Sequence, residues 1–190
     1  MSEDKRDKGL RNKLILVGLK ELEEHGIKDF SLRRVAVSAD VSCAAPYRHF
    51  KNKDQLIKAI LEYIKDDWFI LCEQIGLVFN DNTKDLIKEL CVSCIKFWIA
   101  NGNFLSVLFL IQSSTNSEIK DVLKDFDKPI LNRLNQFASD NSLKEQKLAQ
   151  LQHTIPSLIY GSLMMISKND KLTDEIIQNT SNVVSNLLNI

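Results

Sequence analysis

Glycine and proline are scarce in this sequence, 6 and 3 among 190 residues. A sandwich or barrel rich in tight turns needs more of both, so the shortage argues against all-β architectures. Cysteine is sparse as well. Cys43, Cys72, Cys91 and Cys94 do not make the disulfide framework of a small secreted domain in a chain this long. No apolar run approaches the roughly 18 residues of a membrane span. The longest, Phe104 to Ile111, is interrupted by Ser106. The opening Met-Ser-Glu-Asp-Lys-Arg-Asp-Lys is charged and leads into no signal-peptide stretch, so a cytoplasmic location is expected. Gly-rich phosphate loops, HExxH pairs and nucleophile elbows are absent too, which leaves an enzyme no residues to rest on. No metal and no cofactor are expected. Cys91 and Cys94 form a Cys-x-x-Cys, but without a second pair or a nearby His they are read as a reduced, structural pair.

What is present is helical material. Hydrophobic residues make up 44% and charged residues 26%, enough for a core, and the length fits one domain or one small module fused to a larger one. Net charge is zero but unevenly placed: residues 1–60 hold 13 Lys+Arg against 9 Asp+Glu. Between residues 31 and 53 lie Arg33, Arg34, Arg48, Lys51 and Lys53 against Asp40 alone. A compact basic head points to a polyanionic partner. Apolar residues recur at helical spacing throughout. Ile15, Leu19 and Leu22 mark a first helix that Gly26 is expected to end in the left-handed conformation. Ser31 and Ser42 are placed to cap two short helices, Leu32 to Ala39 and Cys43 to Phe50, with only Asp40 and Val41 between them. Three helices so connected describe a helix-turn-helix unit.

A long helix follows through Leu56, Ile60, Ile64, Trp68, Leu71 and Ile75. The spacing predicts further helices from Thr83, over Phe104 to Leu110, and over 118–138 with a restart at Asp127 before Pro129. Another runs to about Ile166 with a kink at Pro156, and a last one is capped by Thr173. The expected fold is all-α with about nine helices. Residues 1–52 are expected to make the helix-turn-helix unit, and residues 53–190 a helical body.

Residues 26–57 carry the most specific signal. Phe30-Ser31-Leu32, Val35-Ala36, Ala39-x-Val41-Ser42, Tyr47-x-His49-Phe50, Lys53 and Leu56 together closely resemble the DNA-binding domain of the TetR/AcrR family of transcriptional regulators. One departure is Asp40, where family members usually carry Gly; Asp tolerates the positive φ better than most residues, so an intact, modestly strained turn is expected. Gly18 stands mid-helix where Ala is commoner, an unfavourable choice unless it lets two helices pack closely.

The resemblance implies a homodimeric repressor that binds palindromic double-stranded DNA and releases it when a small-molecule effector enters the helical body. Alternatives are a TetR-like activator without such an effector, or a helical small-molecule-binding protein whose DNA-binding unit is vestigial. A helix-turn-helix lays the start of its second helix in the major groove. Ser42, Cys43, Ala44 and Ala45 occupy that end and are small enough for close approach. Arg33 and Arg34, or Arg48, are left to supply any guanine readout. The resemblance assigns phosphate contacts to Tyr47, His49 and Lys53, and Ser31 caps a helix whose first N–H groups can also face a phosphate. Tyr47 is expected to pack its ring and turn its hydroxyl outward. For the effector pocket the candidates are Trp68, Phe97, Trp98, Phe104, Phe126 and Tyr160, which favour an apolar or aromatic compound. For the dimer seam they are Ile155, Ile159, Ser162, Ile176, Val184 and Leu187, since the resemblance places the last two helices of each subunit in a four-helix bundle.

Overall fold

The computed structural model describes residues 3–79, 81–101, 117–166 and 170–189. Among these it contains no strand and nine helices. They are α1 (Glu3–Asp29), α2 (Leu32–Ser38), α3 (Pro46–His49), α4 (Lys53–Val78), α5 (Thr83–Ala100), α6 (Ser117–Asp125), α7 (Lys128–Asp140), α8 (Glu145–Met165) and α9 (Asp170–Leu187). The helix expected over Phe104 to Leu110 lies outside the described residues. No described helix is long and apolar enough to cross a membrane.

The described residues fall into two compact units, one within residues 1–66 and 117–124, the other within residues 67–101 and 125–190. The boundary expected at residue 52 thus falls inside the first unit, and packing explains why. At Gly18 an added Cβ would stand 3.0 Å from Ile60 Cδ1 and 3.4 Å from Leu56 Cδ2. The missing side chain therefore lets α1 sit close against the first half of α4 and binds that half to the N-terminal helices. Leu14, Leu22, Phe30, Val35, Ala36, Phe50, Leu56 and Ile60 form the buried core there. Reciprocal bonds fix the start of α4: Gln55 N–H donates to Asn52 Oδ1 at 3.0 Å, and Lys51 N–H donates to Gln55 Oε1 at 2.7 Å.

Gly26 breaks α1 as expected but in a different conformation. Its φ of 69° is positive, while its ψ of 175° is extended rather than left-handed helical, a region essentially reserved for glycine. The turn after α2 follows the sequence closely. Asp40 has φ 56°. Its N–H donates to Val37 O and Val41 N–H to Ala36 O, both at 3.0 Å, the two bonds of a Schellman motif. Asp40→Gly should therefore stabilise the protein by about 1 kcal/mol and raise Tm by roughly 2–4 °C. Thermal unfolding checks this, and an unchanged or lower Tm would show that the aspartate is not strained.

In the second unit α5 packs against α7, α8 and α9. Asn82 caps α5, accepting from Asp85 N–H at 3.0 Å. The break between α6 and α7 falls at Asp127, as expected, but no side-chain cap bond forms. The Asp127 carboxylate instead accepts from the Tyr160 hydroxyl at 3.1 Å. Burial pushes both groups up from their ordinary values. Helix α8 continues through Pro156, and α9 starts at Asp170, ahead of Thr173. The seam assigned to a partner lies largely inside this unit: Ile155, Ile159, Ser162, Ile176 and Val184 are all buried, and Leu187 is half-buried. Between α8 and α9, Thr180 Oγ1 donates to Ile176 O at 2.8 Å and accepts from the Ser162 hydroxyl at 2.7 Å. Both buried hydroxyls thereby have hydrogen-bond partners.

Candidate nucleic-acid interface

The end of α2, the turn at Asp40 and the segment from Ser42 to Lys51 form the exposed surface of the helix-turn-helix. Ser31 opens it as the N-cap of α2, its hydroxyl accepting from Arg34 N–H at 3.4 Å. The second helix is shorter than its sequence suggests. Pro46 has no N–H, so the Ser42 carbonyl cannot receive a helical bond from it. That carbonyl accepts from Ala45 N–H at 2.9 Å instead, and α3 begins at Pro46 without a side-chain cap. Ser42 therefore closes a turn rather than capping a helix.

This turn presents Ser42, Cys43 and Ala44 to solvent. Ala45 does not join them: it is only 7% exposed and packs inward. Tyr47 is 60% exposed, so its ring is far more open than a packed ring with only its hydroxyl outside. Arg48, Lys51 and, on α2, Arg33 are exposed as well. The result is an exposed tip of small Ser, Cys and Ala side chains with an open phenol and cationic side chains near it in sequence. Small side chains let a backbone approach base edges, the Ser hydroxyl can donate or accept, and an Ala methyl matches a thymine methyl. Cations around such a tip suit phosphates.

Three of the residues expected to contact DNA are engaged within the protein. The His49 side chain is 4% exposed, and its Nε2 is buried without a hydrogen-bond partner, 3.6 Å from the Asp7 carboxylate. Its ring lies tilted against Phe50, 6.3 Å between centroids, so the imidazole is packed within the unit. Arg34 is tied down: its Nε donates to Glu21 Oε1 at 2.8 Å, its Nη2 lies 2.6 Å from the same oxygen, and Nη2 also donates to the Asp29 carbonyl. The Glu21 bond holds the guanidinium above its ordinary value. That leaves Arg33 and Arg48 as the arginines of this surface. Lys53 is half-buried, with Nζ donating to Ile27 O at 2.6 Å and standing 5.8 Å from the Phe30 ring centroid. Its ammonium closes the C-terminal carbonyls of α1, which positions the unit whether or not it also meets a phosphate.

Glu21 is the residue that reading the sequence missed. It is buried and also accepts from Ser31 N–H at 3.1 Å, so one carboxylate joins α1 to the start of α2. Its signal was position: Glu21 stands beside Leu22, three residues after Gly18, on the stripe that faces the core. Arg11, over the Phe50 ring at 5.4 Å from its centroid, similarly joins α1 to the end of α3.

In the second unit the pocket candidates form a packed aromatic cluster. Ring centroids are 5.4 Å apart for Trp68 and Phe97, 5.7 Å for Phe97 and Trp98, and 4.8 Å for Trp98 and Phe126. Trp68 Nε1–H donates to Phe126 O at 3.0 Å. Trp68, Trp98 and Phe126 are fully buried, while Phe97 and Tyr160 are half-buried. Phe104 lies outside the described residues. Cys72, Cys91 and Cys94 are buried beside this cluster, and desolvation pushes all three thiols up, Cys72 to about 12. Among the described residues no group of three or more His, Cys, Asp or Glu side chains is placed to hold a metal ion.

Residues 14–60 match the family model of bacterial regulatory proteins, tetR family. No curated protein matches the chain. Similar solved structures include the transcriptional regulator FadR from Bacillus subtilis in complex with stearoyl-CoA, at 18% identity and a TM-score of 0.71 over 93% of this chain and 96% of that one. A TetR transcription regulator from Haloarcula marismortui has a TM-score of 0.75 at 15% identity, covering 95% and 97%. A TetR/AcrR-family regulator from Thermobifida fusca has a TM-score of 0.72 at 17% identity, covering 93% and 96%. At such identities these likenesses establish a common fold.

Proposed function

We infer that this chain, whose residues 14–60 match the model of the tetR family of bacterial regulatory proteins, is a transcriptional regulator acting as a homodimeric repressor. Two copies place the exposed tip at Ser42, Cys43 and Ala44 in successive major grooves of a palindromic operator, about 34–36 Å apart. Arg33, Tyr47, Arg48 and Lys51 hold the surrounding phosphates. A small molecule bound in the second unit, against the aromatic cluster and the Asp127–Tyr160 pair, shifts the protein away from its DNA-binding state. The stearoyl-CoA held by the Bacillus subtilis neighbour makes long-chain acyl compounds the first to test. The single observation that carries the reading is the tip itself, three small exposed side chains at the head of a helix-turn-helix beside exposed cations. A vestigial DNA-binding unit would have no need to keep that surface small and basic.

Cys43 gives a direct test, because it alone of the four cysteines is exposed. Thiolates are the reactive form, and burial suppresses them at Cys72, Cys91 and Cys94. N-ethylmaleimide on the native protein should give one adduct, at Cys43, readable by mass spectrometry. Labelling should eliminate the shift of DNA selected from a random pool, and Cys43→Ser should be immune. A fully labelled protein that binds its DNA with unchanged affinity would put Cys43 outside the interface.

A further inference from the structure

Apart from the aromatic cluster, the second unit carries a groove of about 480 Å³ lined by residues of α4, α5 and the first turns of α7. Phe69, Cys72, Leu90 and Pro129 give it apolar walls. None of the pocket candidates Trp68, Phe97, Trp98, Phe126 or Tyr160 lines it. Arg133 lines it and is half-buried. Its described hydrogen bond runs from Nη1 to the neutral Gln136 Oε1 at 2.9 Å, and among the described residues no carboxylate pairs with it.

The other cation of the groove is neutralised, since Lys128 Nζ lies 2.6 Å from Asp125 Oδ1. Glu73 is the one carboxylate among the lining residues, and it is exposed and water-screened. At Gly76 an added Cβ would stand 3.4 Å from Arg133 Nη2, an ordinary contact distance, so only a side chain larger than alanine's would crowd the guanidinium. A half-buried guanidinium that no described carboxylate pairs with, at the edge of a groove with apolar walls on Phe69, Cys72, Leu90 and Pro129 and polar Asn132 and Gln136 beside it, is suited to an amphipathic anion.

We propose that this groove is a binding site for a small organic monocarboxylate with an apolar tail, its carboxylate paired with Arg133 and its tail lying along Phe69, Leu90 and Pro129. The guanidinium fork matches a carboxylate in two parallel hydrogen bonds, which a point charge does not. With Lys128 paired to Asp125 and Glu73 exposed, one guanidinium is left to meet one carboxylate. This inference stands on the groove alone and requires nothing of the DNA reading.

The test is calorimetric titration of the full chain, without DNA, using octanoate, octanol and octylammonium. Octanoate should bind saturably and at least about tenfold more tightly than the other two, the value of a charge-assisted pair. Arg133→Gln should lose about that factor for octanoate and leave octanol unchanged. Arg133→Lys should fall between, and Gly76→Leu should weaken octanoate by crowding the guanidinium, with circular dichroism confirming that each variant is folded. Octanoate binding that survives Arg133→Gln, equal or tighter binding of octylammonium, or no saturable octanoate binding below about 10 mM, an affinity weaker than roughly 3 kcal/mol, would each overturn the proposal.

Discussion

Ala44→Leu should reduce specific DNA binding at least about a hundredfold, within the range that separates specific from non-specific affinity, while leaving the fold intact. Ala44 is exposed in the turn before α3, so the larger side chain meets solvent in the free protein. Surface changes of that kind shift stability by about 0.5 kcal/mol or less. In the complex the same side chain stands between backbone and base edges, where the surface is small enough to approach. Non-specific, salt-dependent binding should persist, because Arg33, Arg48 and Lys51 are untouched. The neighbouring alanine supplies the contrast. Ala45 is buried, so Ala45→Leu should overpack the helix-turn-helix core and cost about 1–3 kcal/mol of stability. Anisotropy titrations on selected DNA, with circular dichroism and thermal unfolding, separate the two effects. Normal affinity in folded Ala44→Leu would remove this turn from the groove.

The local part of this interface was legible because its physics is local. Ser31 caps α2 through a bond three residues away, and the Asp40 turn closes through bonds within five residues. Patterns of that length are printed directly in the sequence. What lay further off was not. Glu21 and Arg34 are thirteen residues apart, and their pairing removes one of five cations from the predicted basic surface. Lys53 turns to a carbonyl 26 residues earlier. A sequence shows that a lysine is charged but not where its flexible stem leads. Pro46 was visible, yet its effect on the Ser42 carbonyl, which moves the start of α3, follows only when hydrogen bonds are counted.

The helical body shows the same division. The periods of α8 and α9 identified faces that are indeed covered, but an apolar stripe does not say what covers it. Ile155, Ile159, Ser162, Ile176 and Val184 are buried within one chain, where both α8 and α9 pack on α5. The aromatic candidates were likewise visible as large apolar residues. In the fold Trp98 packs on Phe126, the Trp68 indole donates to the Phe126 carbonyl, and Asp127, read as a cap, serves Tyr160.

Val183→Glu should therefore be the substitution that separates two subunits, rather than Leu187→Glu. Leu187 is half-buried in its own chain, so a glutamate there would disturb the protomer itself. Val183 is 42% exposed on α9. Met164 and Met165 on α8 are also open, and Leu172 on α9 with them. A Cβ at Gly161 would meet nothing within 4 Å, which leaves α8 bare for close approach. A self-complementary interface built on these side chains would bury on the order of 2,000 Å² in total. Two-fold symmetry brings each introduced charge into the same desolvated patch as its copy, and the protomer, which leaves Val183 exposed, should remain folded. Sedimentation should fall from a species of twice 21.7 kDa to one of 21.7 kDa. Palindrome affinity should fall by about 10²–10⁴, because two half-sites are no longer held together. Binding to a single half-site should be unchanged. A parent protein that is already monomeric at micromolar concentration, yet grips a full palindrome tightly, would remove the dimer from the mechanism.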